Sequence, residues 1–226
     1  MIEVSDLVKV YESNLENVRA VDGITFSVSP RDFILIVGRS GSGKTTLLSM
    51  LGGLTKPTSG VVKLNNKNLW SLSDTELSQV RGKDIGFVFQ FSGLLPTLTA
   101  LENVMLPSLF VKKKENVKKN AYELLMAVGL DSKTQSYPSE LSSGELKRVA
   151  VARALINNPF LILADEPTGD LDIETEAEIM ELFRRINQQG KTILMVTHNP
   201  ELSSYASRVI KMEKGKISGS KLSASQ

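Results

Sequence analysis

Residues 38–45 read Gly-Arg-Ser-Gly-Ser-Gly-Lys-Thr, with Thr46 next, and the segments on either side restrict how this stretch can fold. Before it, Phe33-Ile34-Leu35-Ile36-Val37 is an unbroken apolar run, the pattern of a strand buried on both faces of a parallel sheet. After it, residues 45–54 carry helical spacing, with Leu47, Leu48 and Leu51 on one side. Strand, glycine loop and helix in that order make Gly-x4-Gly-Lys-Thr a phosphate-binding loop. Glycines let the main chain approach a polyphosphate closely. The N–H groups of Gly38, Arg39, Ser40, Gly41, Ser42 and Gly43, and those of the helix start at Thr45 and Thr46, surround the anion, and the helix dipole favours its charge. Lys44 then meets the β- and γ-phosphates, and the Thr45 hydroxyl ligates Mg²⁺. A flexible loop ahead of an ordinary helix would leave four matching positions to chance. The stretch predicts a nucleotide site.

The chain has 226 residues, 41% of them hydrophobic, enough for one large α/β domain or a domain with a subdomain. A formal net charge of +2 supplies no strong basic field, so nucleic acid is not an expected partner. The absence of cysteine excludes disulfides and thiolate metal sites and is compatible with a reducing compartment. No apolar run reaches the roughly 18–20 residues that span a bilayer. Met1-Ile2-Glu3-Val4 has neither a basic segment nor an apolar signal core. These features predict a cytoplasmic protein that does not itself cross a membrane.

Residues 2–10 and 24–28 have β-rich, partly alternating patterns joined by a polar stretch around Glu12 to Glu16, and read as an antiparallel layer. Tyr11 closes the first of these strands; from position alone it packs on the sheet rather than stacking on a base. Lys56-Pro57-Thr58-Ser59-Gly60 is a turn and 61–64 a short strand. A helix over 72–80 is capped by Ser73 with Glu76 three residues on. Residues 85–89 form another apolar strand ending at Gln90. A polar residue there can bind a ligand at the strand end or bond loop backbone, and position does not choose between them.

Residues 91–158 change character, with helical patterns over 98–104, 115–128 and 145–157, and read as a helical insertion. The basic cluster Lys112-Lys113-Lys114 with Lys118-Lys119 reads as a solvated face rather than a membrane-binding one. Ser142-Ser143-Gly144-Glu145 opens the last of these helices. Ser142 and Glu145 fit a capping box, and a helix N-terminus with serine and glycine is also an anion site. Both can hold together.

An apolar strand over 160–164 delivers Asp165 and Glu166 side by side, which is costly unless they meet a cation or activate water. Asp165 suits a Mg²⁺ shell and Glu166 suits general-base work on water. A helix over 174–188 follows, with Ala177, Met180, Phe183 and Ile186 inward and Gly190 as its stop. A buried strand over 192–196 leads into His198, the chain's one histidine, read as functional because it shares the strand-end edge with Gln90 and Asp165. Strand patterns over 209–212 and 216–218 precede a polar tail over 221–226.

Taken in order, these motifs resemble those of the ATP-binding-cassette (ABC) ATPases over nearly the whole chain. The likeness rests on the loop at 38–45, Gln90 closing Gly86-Phe87-Val88-Phe89, and Leu141-Ser142-Ser143-Gly144-Glu145 before a helix. It continues through 161–166, Gly169-Asp170-Leu171-Asp172 and His198. The signature loop between the phosphate loop and the Asp165-Glu166 strand separates this family from kinases, GTPases and helicases. The resemblance implies an α/β phosphate-loop NTPase with a mixed central sheet, an N-terminal antiparallel β layer and an inserted helical subdomain. Residues 1–220 would form one nucleotide-binding domain, its core about 1–90 and 159–220 and its helical subdomain about 91–158.

It also implies an ATPase in which two nucleotide-binding subunits, here with a second copy of the chain, pack head to tail around two Mg-ATP. Ser142 and Gly144, with Ser143 and Glu145 around them, would face the γ-phosphate held by the partner. Tyr11 would stack on adenine, against its positional reading. Gln90 would sense the γ-phosphate through Mg²⁺, Glu166 would polarise the attacking water, and His198 would bond the γ-phosphate. Asp172 would link the two sites. Compared with the family's usual Leu-Ser-Gly-Gly-Gln, Ser143 adds a Cβ and Glu145 a negative charge; a working site is expected.

Gly86 to Gln90, Leu94-Leu95-Pro96, 98–104 and 164–169 look like the subgroup of lipoprotein-release, macrolide-efflux and cell-division ATPases. The likeness implies a membrane permease that is a separate polypeptide and would dock on the segment after Gln90 and the helices to about residue 140. Placement on the inner face of the membrane follows. A non-transport motor driving an envelope complex is the alternative. A chromosome-organising ATPase would need a long coiled-coil insertion with sustained heptads, which this sequence lacks, and a soluble nucleotide kinase would leave the signature loop unexplained.

Overall fold

The computed structural model describes residues 1–12, 16–111 and 115–222. Residues 13–15, within the polar stretch after Tyr11, the lysines 112–114 and residues 223–226 of the polar tail lie outside these described residues. The strands are β1 (Ile2–Tyr11), β2 (Val18–Val28), β3 (Phe33–Val37), β4 (Ser59–Leu64), β5 (Lys67–Asn68), β6 (Ile85–Val88), β7 (Leu161–Asp165), β8 (Thr192–Thr197), β9 (Arg208–Glu213) and β10 (Lys216–Leu222). The α-helices are α1 (Lys44–Leu51), α2 (Asp74–Asp84), α3 (Ala100–Met105), α4 (Val117–Ala127), α5 (Ser143–Leu155) and α6 (Ile173–Gln188). The chain divides into two compact units, residues 1–77 with 192–226, and residues 78–191.

In the first unit, β1 pairs antiparallel with both β2 and β4, and β5 extends this layer beside β4. The expected antiparallel layer is present, but β2 starts at Val18, well before residue 24. Beside it, β3 lies between β8 and β9, parallel to each, and β10 returns antiparallel to β9. Neighbours of both senses make this a mixed sheet. All five residues of β3 and all six of β8 are buried, as their continuous apolar runs require. Burial of each such Val, Leu or Ile side chain stabilises by about 1.5–3 kcal/mol relative to exposure. β10 carries Lys221 and Leu222 as strand residues, paired with Val209 and Arg208.

In the second unit, β6 runs parallel to β7. β6 stops at Val88: Phe89 is outside the strand and 43% exposed, its ring stacked on Phe87. Helices α3, α4 and α5 occupy the predicted helical stretch. Lys118 and Lys119 are exposed on α4, as expected of a solvated face. Helix α6 buries Ile179, Met180, Leu182, Phe183 and Ile186. Ala177, expected inward, is exposed, because the buried stripe begins two residues later. Among the described residues no helix is long and apolar enough to cross a membrane.

Candidate functional site

The phosphate loop is built by β3 delivering the chain to Gly38 and α1 leaving from Lys44. Gly38 N–H donates to Thr197 O at 3.3 Å, and Gly215 N–H donates to Ser42 O at 3.0 Å, so the loop is tied to its neighbours at both ends. Its glycines have separate causes. A Cβ on Gly38 would lie 2.3 Å from Met212 O, and one on Gly43, at φ 97°, would lie 2.0 Å from Ala20 O. Gly41 takes φ 77° with open space around it, the backbone conformation that a loop wrapping outward needs.

Lys44 is buried at 5% exposure, and its ammonium donates to Gly38 O at 2.7 Å and Arg39 O at 3.2 Å. Ser42 Oγ is also buried and has no hydrogen-bond partner among the described residues. An orphan hydroxyl is costly, and here it sits beside a buried cation at the start of a helix. A phosphate oxygen satisfies that set of groups. Thr45 is exposed and Thr46 half-buried on the first turn of α1. A cavity of about 650 Å³ brings residues 37–42 together with His198 and Met212. His198 follows directly after β8 and is exposed. Tyr11 is 43% exposed rather than packed, with Lys9 Nζ 5.1 Å from its ring centroid.

The second unit carries the remaining predicted residues. Asp165 ends β7 and is 9% exposed; Glu166 follows, half-buried, at φ 45°. A non-glycine residue in the left-handed region is strained, and such strain clusters at functional sites. Gln90 is exposed two residues after β6.

Ser142 N-caps α5 in a full capping box: its N–H donates to Glu145 Oε2 at 2.8 Å, and its Oγ accepts from Glu145 N–H at 3.3 Å. The Ser142 N–H is the main reason that the Glu145 carboxyl sits below the usual glutamate range; Lys133, 3.8 Å away, adds to it. The Glu145 charge is therefore tied back to the loop that bears it. Ser143 is exposed in the first turn of α5 with ordinary helical backbone, so its Cβ meets no obstacle, whereas Gly144 is buried. Asp172 N-caps α6, a role visible in Asp-Ile-Glu-Thr but not predicted. A cavity of about 380 Å³ collects Ser142, Ser143, Gly144, Glu145 and Asp172.

Three residues that the sequence did not single out hold these parts. Lys147 and Arg153 on α5 donate to carbonyls of the segment after β6, and Asn103 on α3 holds its far end.

A phosphate loop after a buried parallel strand, with two carboxylates ending another, defines a phosphate-loop NTPase. The sequence profile of the ABC transporter family matches residues 21–169, and the chain belongs to that family. The lipoprotein-releasing system ATP-binding protein LolD of Geobacter metallireducens is 45% identical over 96% of this chain and 97% of its own length. The macrolide export ATP-binding/permease protein MacB of Chlorobaculum tepidum is 41% identical over 96% of this chain, which spans only 33% of that longer protein. A dimeric post-hydrolysis structure of the ATP-binding cassette MJ0796, bound to ADP and Pi, superposes with a TM-score of 0.91 at 38% identity, covering 98% of both chains. The protein is an ABC ATPase that uses ATP and Mg²⁺.

Proposed function

We propose that the chain works as a head-to-tail pair of identical subunits around two Mg-ATP, driving a separately encoded membrane permease of the lipoprotein-release or macrolide-efflux type. What supports this reading is that each unit carries a separate loop with anion-binding chemistry. The first unit presents the phosphate loop with the orphan Ser42 hydroxyl, and the second presents the capped signature loop with Asp172 in one cavity. A chain with two such loops can offer each of them to a second copy.

In this reading Gly38, Arg39, Ser40, Gly41, Ser42, Gly43, Lys44, Thr45 and Thr46 hold the phosphates, and Tyr11 stacks on adenine. Thr45, Asp165 and Gln90 supply the hydroxyl, carboxylate and amide oxygens that suit Mg²⁺. The metal, when bound, neutralises charge developing on the phosphate oxygens. Glu166 accepts the proton of the attacking water, His198 bonds the γ-phosphate, and Lys44 steadies the leaving charge. Ser142 and Gly144 donate to the partner's γ-phosphate, with Ser143 and Glu145 shaping the loop, and Asp172 links the two sites.

One nucleotide-binding domain over 1–220 is proposed, with a core of about 1–90 and 159–220. Its helical subdomain of about 91–158 falls wholly inside the second compact unit. That stretch exposes Phe91, Leu109 and Phe110 by 71–78%, apolar surface that supports docking of a membrane partner. The protein then sits in the cytoplasm against the inner face of the membrane.

The test is light scattering of Glu166→Gln protein with Mg-ATP and with ADP. Without the base, ATP should persist and shift the chain from monomer to dimer, while ADP should not. A monomer that binds ATP and never pairs overturns the shared site for this chain alone.

A further inference from the structure

Helix α5 reaches beyond the signature loop that it carries. Lys147 is 7% exposed, and its ammonium donates to the main-chain carbonyl of Gln90. Further along the helix, Arg153 donates through its terminal nitrogens to Gly93 O, at 2.7 Å, and to Ser92 O. The carbonyls of residues 90, 92 and 93 are therefore all held by one helix.

Neither cation is there cheaply. Burial lowers the affinity of Lys147 for its proton, and the negative charge of Asp170, in the loop before α6, opposes that loss. Burial acts on Arg153 in the same direction. A buried ammonium persists only where its hydrogen bonds are made. At the other end of the segment, Asn103 is fully buried. Its Oδ1 accepts from Leu95 N–H at 2.8 Å, and its Nδ2 donates to the carbonyls of Leu95, Leu98 and Thr99. The path from β6 to α3 is thus anchored to α3 at its end and to α5 at its beginning.

We propose that Lys147 is the positioning residue for Gln90: it binds the main chain bearing the Gln90 amide to the helix that begins with Ser142 and Gly144. A displacement of α5 then carries Gln90 with it, and the γ-phosphate sensor and the signature loop keep one relative placement. The kinetic part of this inference rests on Gln90 acting as that sensor; the tie itself is a property of the chain.

The test uses the full chain, first without nucleotide. Lys147→Met fills the same space without a donor, and Lys147→Arg keeps a charged one. Backbone order parameters at residues 90 and 91 should fall from roughly 0.85 to below about 0.6 in Lys147→Met and recover in Lys147→Arg, while Arg153 keeps residues 92 and 93 in place. With Mg-ATP, Lys147→Met should lower kcat by about tenfold, the loss of one hydrogen bond to a charged group, with KM changed less than about twofold. It should add nothing further in a Gln90→Ala chain. Unchanged order parameters in folded Lys147→Met overturn the tie. A kcat loss that multiplies with that of Gln90→Ala overturns the assignment to Gln90. If Gln90→Ala alone leaves kcat unaltered, the sensor reading fails, and the order parameters still decide the tie. If Lys147→Met does not fold, Lys147→Gln, a shorter neutral donor, should loosen residues 90 and 91 by an intermediate amount; rigid order parameters there overturn the tie equally.

Discussion

Gly144 lies against Thr175 so closely that a Cβ on the glycine would stand 2.6 Å from Thr175 Cγ2. Thr175 has little room to turn away, because its Oγ1 donates to Asp172 Oδ2 at 2.7 Å and its N–H to Asp172 Oδ1 at 2.9 Å. The glycine of the signature loop and the cap of α6 are one packing unit.

Gly144→Ala should therefore force Thr175 off its rotamer and disturb the Asp172 cap. Overpacking of this kind costs about 1–3 kcal/mol, measurable by urea denaturation. ATP-driven pairing in the Glu166→Gln background should be lost with it. Ser143→Gly, one residue earlier on the exposed side, should change stability by no more than about 1 kcal/mol and leave pairing intact. Equal damage from the two substitutions would show that the Thr175 contact is not what selects glycine at 144.

Acid should weaken the helix caps together. The carboxyls of Glu76, Glu102, Glu145 and Asp172 all lie below their ordinary range, held chiefly by the Ser73 hydroxyl, the Thr99 N–H, the Ser142 N–H and the Thr175 N–H respectively. A carboxyl whose folded pKa is depressed contributes stability that is complete above its unfolded value. That stability is lost as pH falls through the folded value. The unfolded glutamate value is 4.5, so the loss should begin below that pH. A series of Tm values from pH 7 down to pH 3 should be shallower for Glu145→Gln than for the unaltered chain. A slope that does not change would remove Glu145 from the acid response.

Much of this architecture was readable because its signals are local. Continuous apolar runs marked β3, β7 and β8, whose residues are all buried. The capping boxes at Ser142 and Ser73 were readable as three-residue spacings. What escaped depends on residues far apart in the chain. The start of β2 at Val18 lies in a mixed polar stretch and is fixed by pairing to Tyr11. Gly38 and Gly43 are demanded by the carbonyls of Met212 and Ala20 as much as by any phosphate. Lys147 looks in sequence like any helix lysine; only the fold puts Gln90 O beside it. The Asp172 cap is a local signal in Asp-Ile-Glu-Thr, masked by the inter-site role that the family resemblance implies for the same carboxylate.

Asn103 offers a test of the α3 anchor. Its side chain is fully buried: Oδ1 accepts one main-chain hydrogen bond, and the two hydrogens of Nδ2 are shared among three main-chain carbonyls. Asn103→Leu is close in volume but leaves the Leu95 N–H and several carbonyls without that partner. Unpaired buried groups cost about 1–3 kcal/mol each where water cannot replace the bond. The expected result is an unfolding free energy lower by at least that amount, read as a lower urea midpoint with the slope of the transition unchanged. A midpoint within experimental scatter of the unaltered chain would mean that water satisfies the segment instead.

Tyr11 separates two readings of one aromatic. Position in β1 favours packing, yet the ring is 43% exposed, and its only described ring contact is with Lys9, 5.1 Å from the centroid. A ring so exposed contributes little to the core, so Tyr11→Ala should leave the urea midpoint nearly unchanged. Stacking on a base is worth about 1–3 kcal/mol by alanine substitution. Binding of a fluorescent ATP analogue should then weaken by about tenfold in Tyr11→Ala, where each 1.4 kcal/mol is a factor of ten. Tyr11→Trp, which keeps a broad ring, should bind as the unaltered chain does. The opposite pattern, a lost midpoint with unaltered nucleotide affinity, would return Tyr11 to the packing role that its strand position implied.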